Sequence, residues 1–267
     1  MDRLSVFPPR PVARPFLFQD WCNLTFLHWR CEPHTVQRLL PARLEADTFD
    51  GSAWLGMTPF FLRRLRTSGV RPVPWISNFP ETNVRTYVRG PDGESGIWFF
   101  TLETARLLAA VGARATYGLP YHWARMTVEQ KPDGMSYRSI RSTQSGPVGT
   151  NLAVAIHDPI ARPNELERFL TARFRLYSIR GNDELIFCDV EHEPWPLSRA
   201  GLWHVQENLI ASLGLPAMDD VLVHFSSGVH TRVGRPTRYD AQVLRPPLIR
   251  AAAYKKSRYS LSGNAVK

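Results

Sequence analysis

The chain has 267 residues, 43% hydrophobic and 21% charged, which is long and apolar enough for a sizeable core and excludes collagen-like or wholly disordered composition. No run of 18 apolar residues occurs, so a membrane span and a membrane partner are not expected, and the Pro- and Arg-rich start lacks the apolar stretch of a secretory signal. The net charge of +9 is concentrated at the end, where nine basic residues and one acid lie between Arg232 and Lys267. The body is therefore close to neutral, and nucleic acid is not expected as a partner except through that basic tail.

In chain order, residues 1–15 carry four prolines and read as an extended arm. Residues 21–29 alternate loosely between apolar and polar, as a strand does. Residues 32–40 predict a short helix with Pro33 in its first turn. Asp50-Gly51 marks a turn before a strand over 52–57, and 68–80 reads as a loop. Strands follow at 83–89 and 96–101, then an Ala/Leu-rich helix over 103–111 closed by Gly112. Further strands are expected at 123–129, 137–143 and 151–156, the first two joined by a turn at 131–134. Asn164 caps a predicted helix to residue 171. Residues 173–179 and 184–191 form a hairpin around Gly181-Asn182, 198–213 read as a third helix, and 221–226 as a late strand.

Many short strands with frequent turns predict a mainly β (α+β) fold, with antiparallel strands curled into a barrel or cone and a few peripheral helices. The expected organisation is an arm over 1–15, one β domain over 16–235 and a basic tail over 236–267. Cys22, Cys31 and Cys188 lack metal-ligand spacing, and an odd cysteine count without an export signal points to a reduced, cytoplasmic setting. No metal or cofactor is expected, because nucleotide, zinc-protease and serine-hydrolase motifs are all missing. His192 has no second histidine at metal spacing and reads as structural.

Four stretches carry a resemblance. They are Phe-Leu-His-Trp-Arg-Cys-Glu-Pro at 26–33 with the segments 38–45 and 50–54, Asn-Phe-Pro-Glu-Thr-Asn-Val-Arg-Thr-Tyr-Val at 78–88, Ala-Arg-Ala-Thr-Tyr-Gly-Leu-Pro-Tyr-His-Trp-Ala-Arg-Met at 113–126, and Glu-His-Glu-Pro-Trp-Pro-Leu at 191–197. Together they resemble the YqjF-like bacterial proteins, over about residues 15–235. Those proteins are in turn similar to acetoacetate decarboxylases. The resemblance implies a central cavity with Arg30 as the family's arginine before a Glu-Pro helix start and Glu81 as its strand glutamate. The lysine pair that makes and tunes a Schiff base in acetoacetate decarboxylases is replaced here by Tyr121 and His122.

That replacement decides which chemistry is left. A Schiff base needs a neutral amine, and only four of the 33 basic residues are lysine: Lys131 in a polar turn, and Lys255, Lys256 and Lys267 in the tail. The expected site therefore has Glu81, Tyr121 and His122 as proton-handling residues and Arg30, Asn83 and Arg85 as substrate-binding residues. Asn83 and Arg85 share a strand face with Glu81 by period two. Such a set suits metal-free chemistry on a small oxo- or carboxy-compound. It suits non-catalytic binding or sensing of the same ligand equally well. Self-association is compatible with the scaffold, but no residue demonstrates it.

Overall fold

The computed structural model describes residues 5–215 and 220–239. The chain begins with β1 (Leu17–Cys31), α1 (Pro33–Gln37), β2 (Glu45–Ala46), β3 (Ala53–Thr67), β4 (Phe79–Arg89) and β5 (Ser95–Thr104). It continues through α2 (Leu107–Tyr117), β6 (Tyr121–Trp123), β7 (Arg125–Lys131), β8 (Gly134–Thr143), β9 (Gly146–Pro159) and α3 (Glu165–Thr171). The last elements are β10 (Arg175–Arg180), β11 (Glu184–His192), β12 (Leu197–Glu207), a short 3-10 turn, β13 (Leu222–Val233) and β14 (Thr237–Arg238). No helix among the described residues is long and apolar enough to cross a membrane.

Seven strands close a ring in the order β1, β3, β4, β5, β10, β11, β13 and back to β1. All neighbours are antiparallel except β5 and β10. The closure depends on β13. Its residues Thr231, Arg232 and Val233 pair with β11, while Ser226, Phe225 and His224 on the same edge pair with β12. Between β11 and β12, Pro194 and Pro196 cannot donate to a ladder, so the chain leaves the edge of β13 and rejoins it further along.

From β12 the sheet continues as β9, β8 and β7 and folds back over the ring. Outward-facing Leu27, Leu55, Met57 and Val84 of the ring pack against Tyr137, Leu152 and Val154 of this outer layer. Inside the ring, α3 fills the level of Tyr87. Phe169 and Leu170 pack on Trp54 and Tyr87, and the Tyr87 hydroxyl donates to the Leu170 carbonyl at 2.7 Å. Near the other end of β4, where the Ala105 amide donates to the Pro80 carbonyl, α2 follows directly after β5.

Several sequence expectations change. β4 begins at Phe79, so Phe79 and Pro80 belong to the strand and not to the preceding loop. Glu103 is not in a helix: it pairs with Thr82 in the ladder, and α2 starts four residues later. Gly112 lies within α2, which is capped by Gly118 in the left-handed region (φ 62°), where a Cβ would clash with the Ile179 carbonyl oxygen. The helix expected at 198–213 is mostly β12, whose backbone groups are taken up by β9 and β13. Tertiary pairing there overrides a run that lacks strand-type alternation. The chain stays on the sheet past the expected boundary at 235, with β14 against β11 and the Tyr239 amide donating to Leu185. The rest of the basic tail, 240–267, lies outside the described residues.

The cap on α3 is as read from sequence. The Asn164 side chain accepts from the Glu167 amide at 2.8 Å, and the Glu167 carboxylate accepts from the Asn164 amide at 2.7 Å. Asn164→Ala is expected to cost about 1 kcal/mol in urea unfolding. An unchanged midpoint would show that the packing of Phe169 and Leu170 alone fixes this helix.

Candidate functional site

The ring encloses a cavity of about 110 Å³, room for a few water molecules or a ligand of a handful of heavy atoms. The strand period places its polar lining. Glu81, Asn83 and Arg85 alternate inward on β4, while Val84 faces the outer layer. Thr58, directly opposite Asn83 on β3, lines the same space. Tyr121 comes from β6, which pairs with β5 at Leu102. Thr171 at the end of α3 and Arg173 just after it reach the cavity, and His192 and Trp195 enter from the end of β11 and the segment after it.

Glu81 is the acid of this site. It is buried, and the Tyr121 hydroxyl donates to its Oε2 at 3.0 Å. Loss of water penalises the carboxylate more than that hydrogen bond supports it, and the pKa rises to about 8. Glu81 is therefore mostly a neutral acid at pH 7. Tyr121 is held protonated, first by burial and then by the neighbouring Glu81. His192 is also neutral: burial pushes its pKa down to about 4, and its Nδ1 lies 2.7 Å from the Glu193 carbonyl.

The remaining charge is arginine. Arg85 is buried beneath the apolar wall, its guanidinium 5.5 Å from the Phe26 ring centroid. Its side chain donates a hydrogen bond to the Tyr87 hydroxyl, its Nε makes no hydrogen bond, and among the described residues it has no carboxylate partner. Arg173 differs. Its Nη1 pairs with Asp47 at 2.7 Å and its Nε donates to the Phe169 carbonyl, which leaves only Nη2 unpartnered. Thr58 Oγ1 and Asn83 Oδ1 are likewise buried without partners. Four buried polar atoms on residues lining one cavity thus lack hydrogen-bond partners, a concentration that ordinary cores avoid. The lining carries one uncompensated positive charge beside a neutral acid.

The profile of the DUF2071 family, described as an uncharacterized conserved protein, matches residues 18–230. This chain belongs to the DUF2071 family. It is 37% identical to the uncharacterized protein YqjF of Bacillus subtilis (strain 168) over 187 residues, 68% of this chain and 75% of that one. Solved structures with the same fold include the enduracididine biosynthesis enzyme MppR complexed with pyruvate (TM-score 0.62, 13% identity, 86% of this chain and 92% of that one). They also include acetoacetate decarboxylase from Legionella pneumophila (0.56, 16%, 88% and 91%) and an acetoacetate decarboxylase-like enzyme from Sphingomonas wittichii RW1 (0.59, 13%, 87% and 96%). At such identities the likeness establishes the fold.

Two sequence-assigned residues of this DUF2071 chain lie elsewhere. Arg30 is exposed at the end of β1, over the Trp54 ring at 4.8 Å and bonded to Ser52. At that level Trp54, Tyr87, Phe169 and Leu170 fill the ring, so Arg30 does not reach the cavity. His122 alternates outward from Tyr121. It meets Arg114 at 3.3 Å, and burial, then Arg141 and Arg114, push its pKa down to about 4. Among the described residues no lysine lines the cavity, and Lys131 is exposed on the outer hairpin against Glu129. Thr58, Thr171, Arg173, Arg175 and His192 are among the polar lining residues that sequence reading did not assign to the site. Arg173 gives no local signal, because its partner Asp47 is 126 positions away.

A raised acid pKa makes stability pH-dependent with a definite sign. Glu81 ionises near 4.5 in the unfolded chain and near 8 in the folded one, so its contribution is full below pH 4.5 and is lost as pH rises to 8. The stability of wild type relative to Glu81→Gln should fall across that window in urea titrations. Parallel curves for the two proteins would mean that Glu81 is solvated.

Proposed function

We propose that the ring cavity binds a small 2-oxo monocarboxylate and that Glu81 and Tyr121 move a proton at the carbon next to its oxo group, without a metal or a Schiff base. The observation that carries this reading is the buried Arg85, hydrogen-bonded to the neutral Tyr87 but without a carboxylate partner among the described residues, in the same cavity as a carboxyl group with a pKa of about 8. A lone buried guanidinium is costly unless an anion completes it, and a carboxylate does so through a two-bond fork. One uncompensated charge favours a monoanion over a dianion. Asn83 and Thr58, whose oxygens are free, hold polar groups of the ligand. The solved neighbour holding pyruvate supports a ligand of this class.

In the reaction the ionised fraction of Glu81 takes the proton from carbon, and the electron pair moves onto the oxo oxygen to form an enolate. Tyr121, which keeps its proton, donates a hydrogen bond to that oxygen. The proton then returns from Glu81 to carbon, or the enol goes on to addition or dehydration. A base with a pKa near the working pH is well matched to such a transfer. With His122 turned away, the proton-handling set is Glu81 and Tyr121 alone.

The test pairs binding with exchange. A bound ligand such as 2-oxobutyrate at about 100 times its dissociation constant should stabilise wild type by about 2.7 kcal/mol. Arg85→Met should abolish the shift and Arg30→Ala should leave it unchanged. In heavy water, wild type should exchange the C3 protons of the ligand, and Glu81→Gln should slow exchange roughly 100-fold or more while still binding. Stabilisation without exchange in wild type would make this a binding or sensing domain. No stabilisation by any 2-oxo acid would remove the small-carboxylate reading.

A further inference from the structure

Away from the cavity, the segment before β4 and the outer face of α2 share an unusual surface. Residues 68–76 are exposed throughout, and Trp75 at their tip is 81% exposed. Val73 and Ile76 beside it are exposed too. On α2, Leu107, Leu108 and Val111 face solvent, with Leu108 at 70%. The Arg106 guanidinium donates to the Trp75 carbonyl and joins the two segments into one patch. Six large apolar side chains gathered on one face exceed the scattered exposure of an ordinary surface.

The charge that the two segments themselves carry has one sign, although Arg64 is paired with Asp20 of β1. Segments 61–76 and 104–128 contain seven arginines and no Asp or Glu. Arg71 lies within the exposed loop, and Arg114 continues the 107–111 face of α2 by helical spacing. A second copy docking through the same face would set arginine against arginine. An anionic lipid surface instead accepts the apolar side chains below its headgroups and pairs its charge with the arginines.

We propose that loop 68–76 and the outer face of α2 form a docking site for an anionic membrane surface. The sequence expectation of no membrane partner rested on the lack of a span, which surface docking does not need. The inner face of α2 supplies Ala113 and Tyr117 to the cavity, so the docked surface backs directly onto the cavity wall. The site stands independently of what the cavity binds.

The test is co-sedimentation of the full chain with phosphatidylcholine vesicles, with and without about one third phosphatidylserine. Binding is expected only to the anionic vesicles and should weaken with salt. Trp75→Ser with Leu108→Gln should lower partitioning at least tenfold, and Arg71→Glu with Arg114→Glu comparably, since each arginine near the surface contributes roughly fivefold. All four side chains are exposed, so melting temperatures should hold. The proposal is overturned if wild type ignores anionic vesicles, or if binding survives Trp75→Ser with Leu108→Gln and so belongs to the basic tail. It is equally overturned if sedimentation shows a self-association that this double variant dissolves, because the face would then be covered by a second copy.

Discussion

Closure of the ring at β13 is the constraint on which the site depends. Three residues, Thr231, Arg232 and Val233, join β13 to β11, while its other edge lies against β1. Without that seam the β1–β3–β4–β5 and β10–β11 segments would have open edges, and the interior would admit water. With it, α3 at one level and α2 near the other leave a small cavity with a buried polar lining. The low effective dielectric of that space is what raises the Glu81 pKa to about 8.

The same desolvation acts on every polar group facing inward, and the sequence meets it differently at each. Arg173 is balanced by Asp47, which also accepts from Arg89 at 2.9 Å. His192 is made neutral and anchored to a backbone carbonyl. Glu81 is made neutral and bonded to Tyr121. Arg85 alone among these lining residues keeps a charge without a partner of opposite sign. Buried charges of that kind are destabilising unless something completes them. The proposed binding role rests on this arrangement, with Glu81 and Tyr121 as the proposed proton-handling pair.

Much of this was legible before any coordinates. The Asn164 cap, the hairpin at Gly181-Asn182 and the shared face of Glu81, Asn83 and Arg85 follow from local rules of spacing and capping. The missing lysine pair was visible at Tyr121 and His122. Arg30 misled because its motif position says nothing about how far along the ring its strand end lies, and Trp54 and α3 fill the space at that level. His122 was a question of strand parity, which a three-residue strand next to a helix does not declare. Residues 198–213 read as a helix because no local pattern announces pairing with β9, some fifty residues earlier. Arg173 became a site residue only through Asp47 and the ring, both set by long-range contacts.

The most direct measurement is the carbon-13 carboxyl shift of Glu81 followed against pH, assigned by its loss in Glu81→Gln. A midpoint near 8 would show that the ring holds a neutral acid in a dry cavity, as the account requires. A midpoint near 4.5, the ordinary glutamate value, would show that water or an unrecognised partner reaches the carboxylate, and the proposed proton transfer would lose its basis.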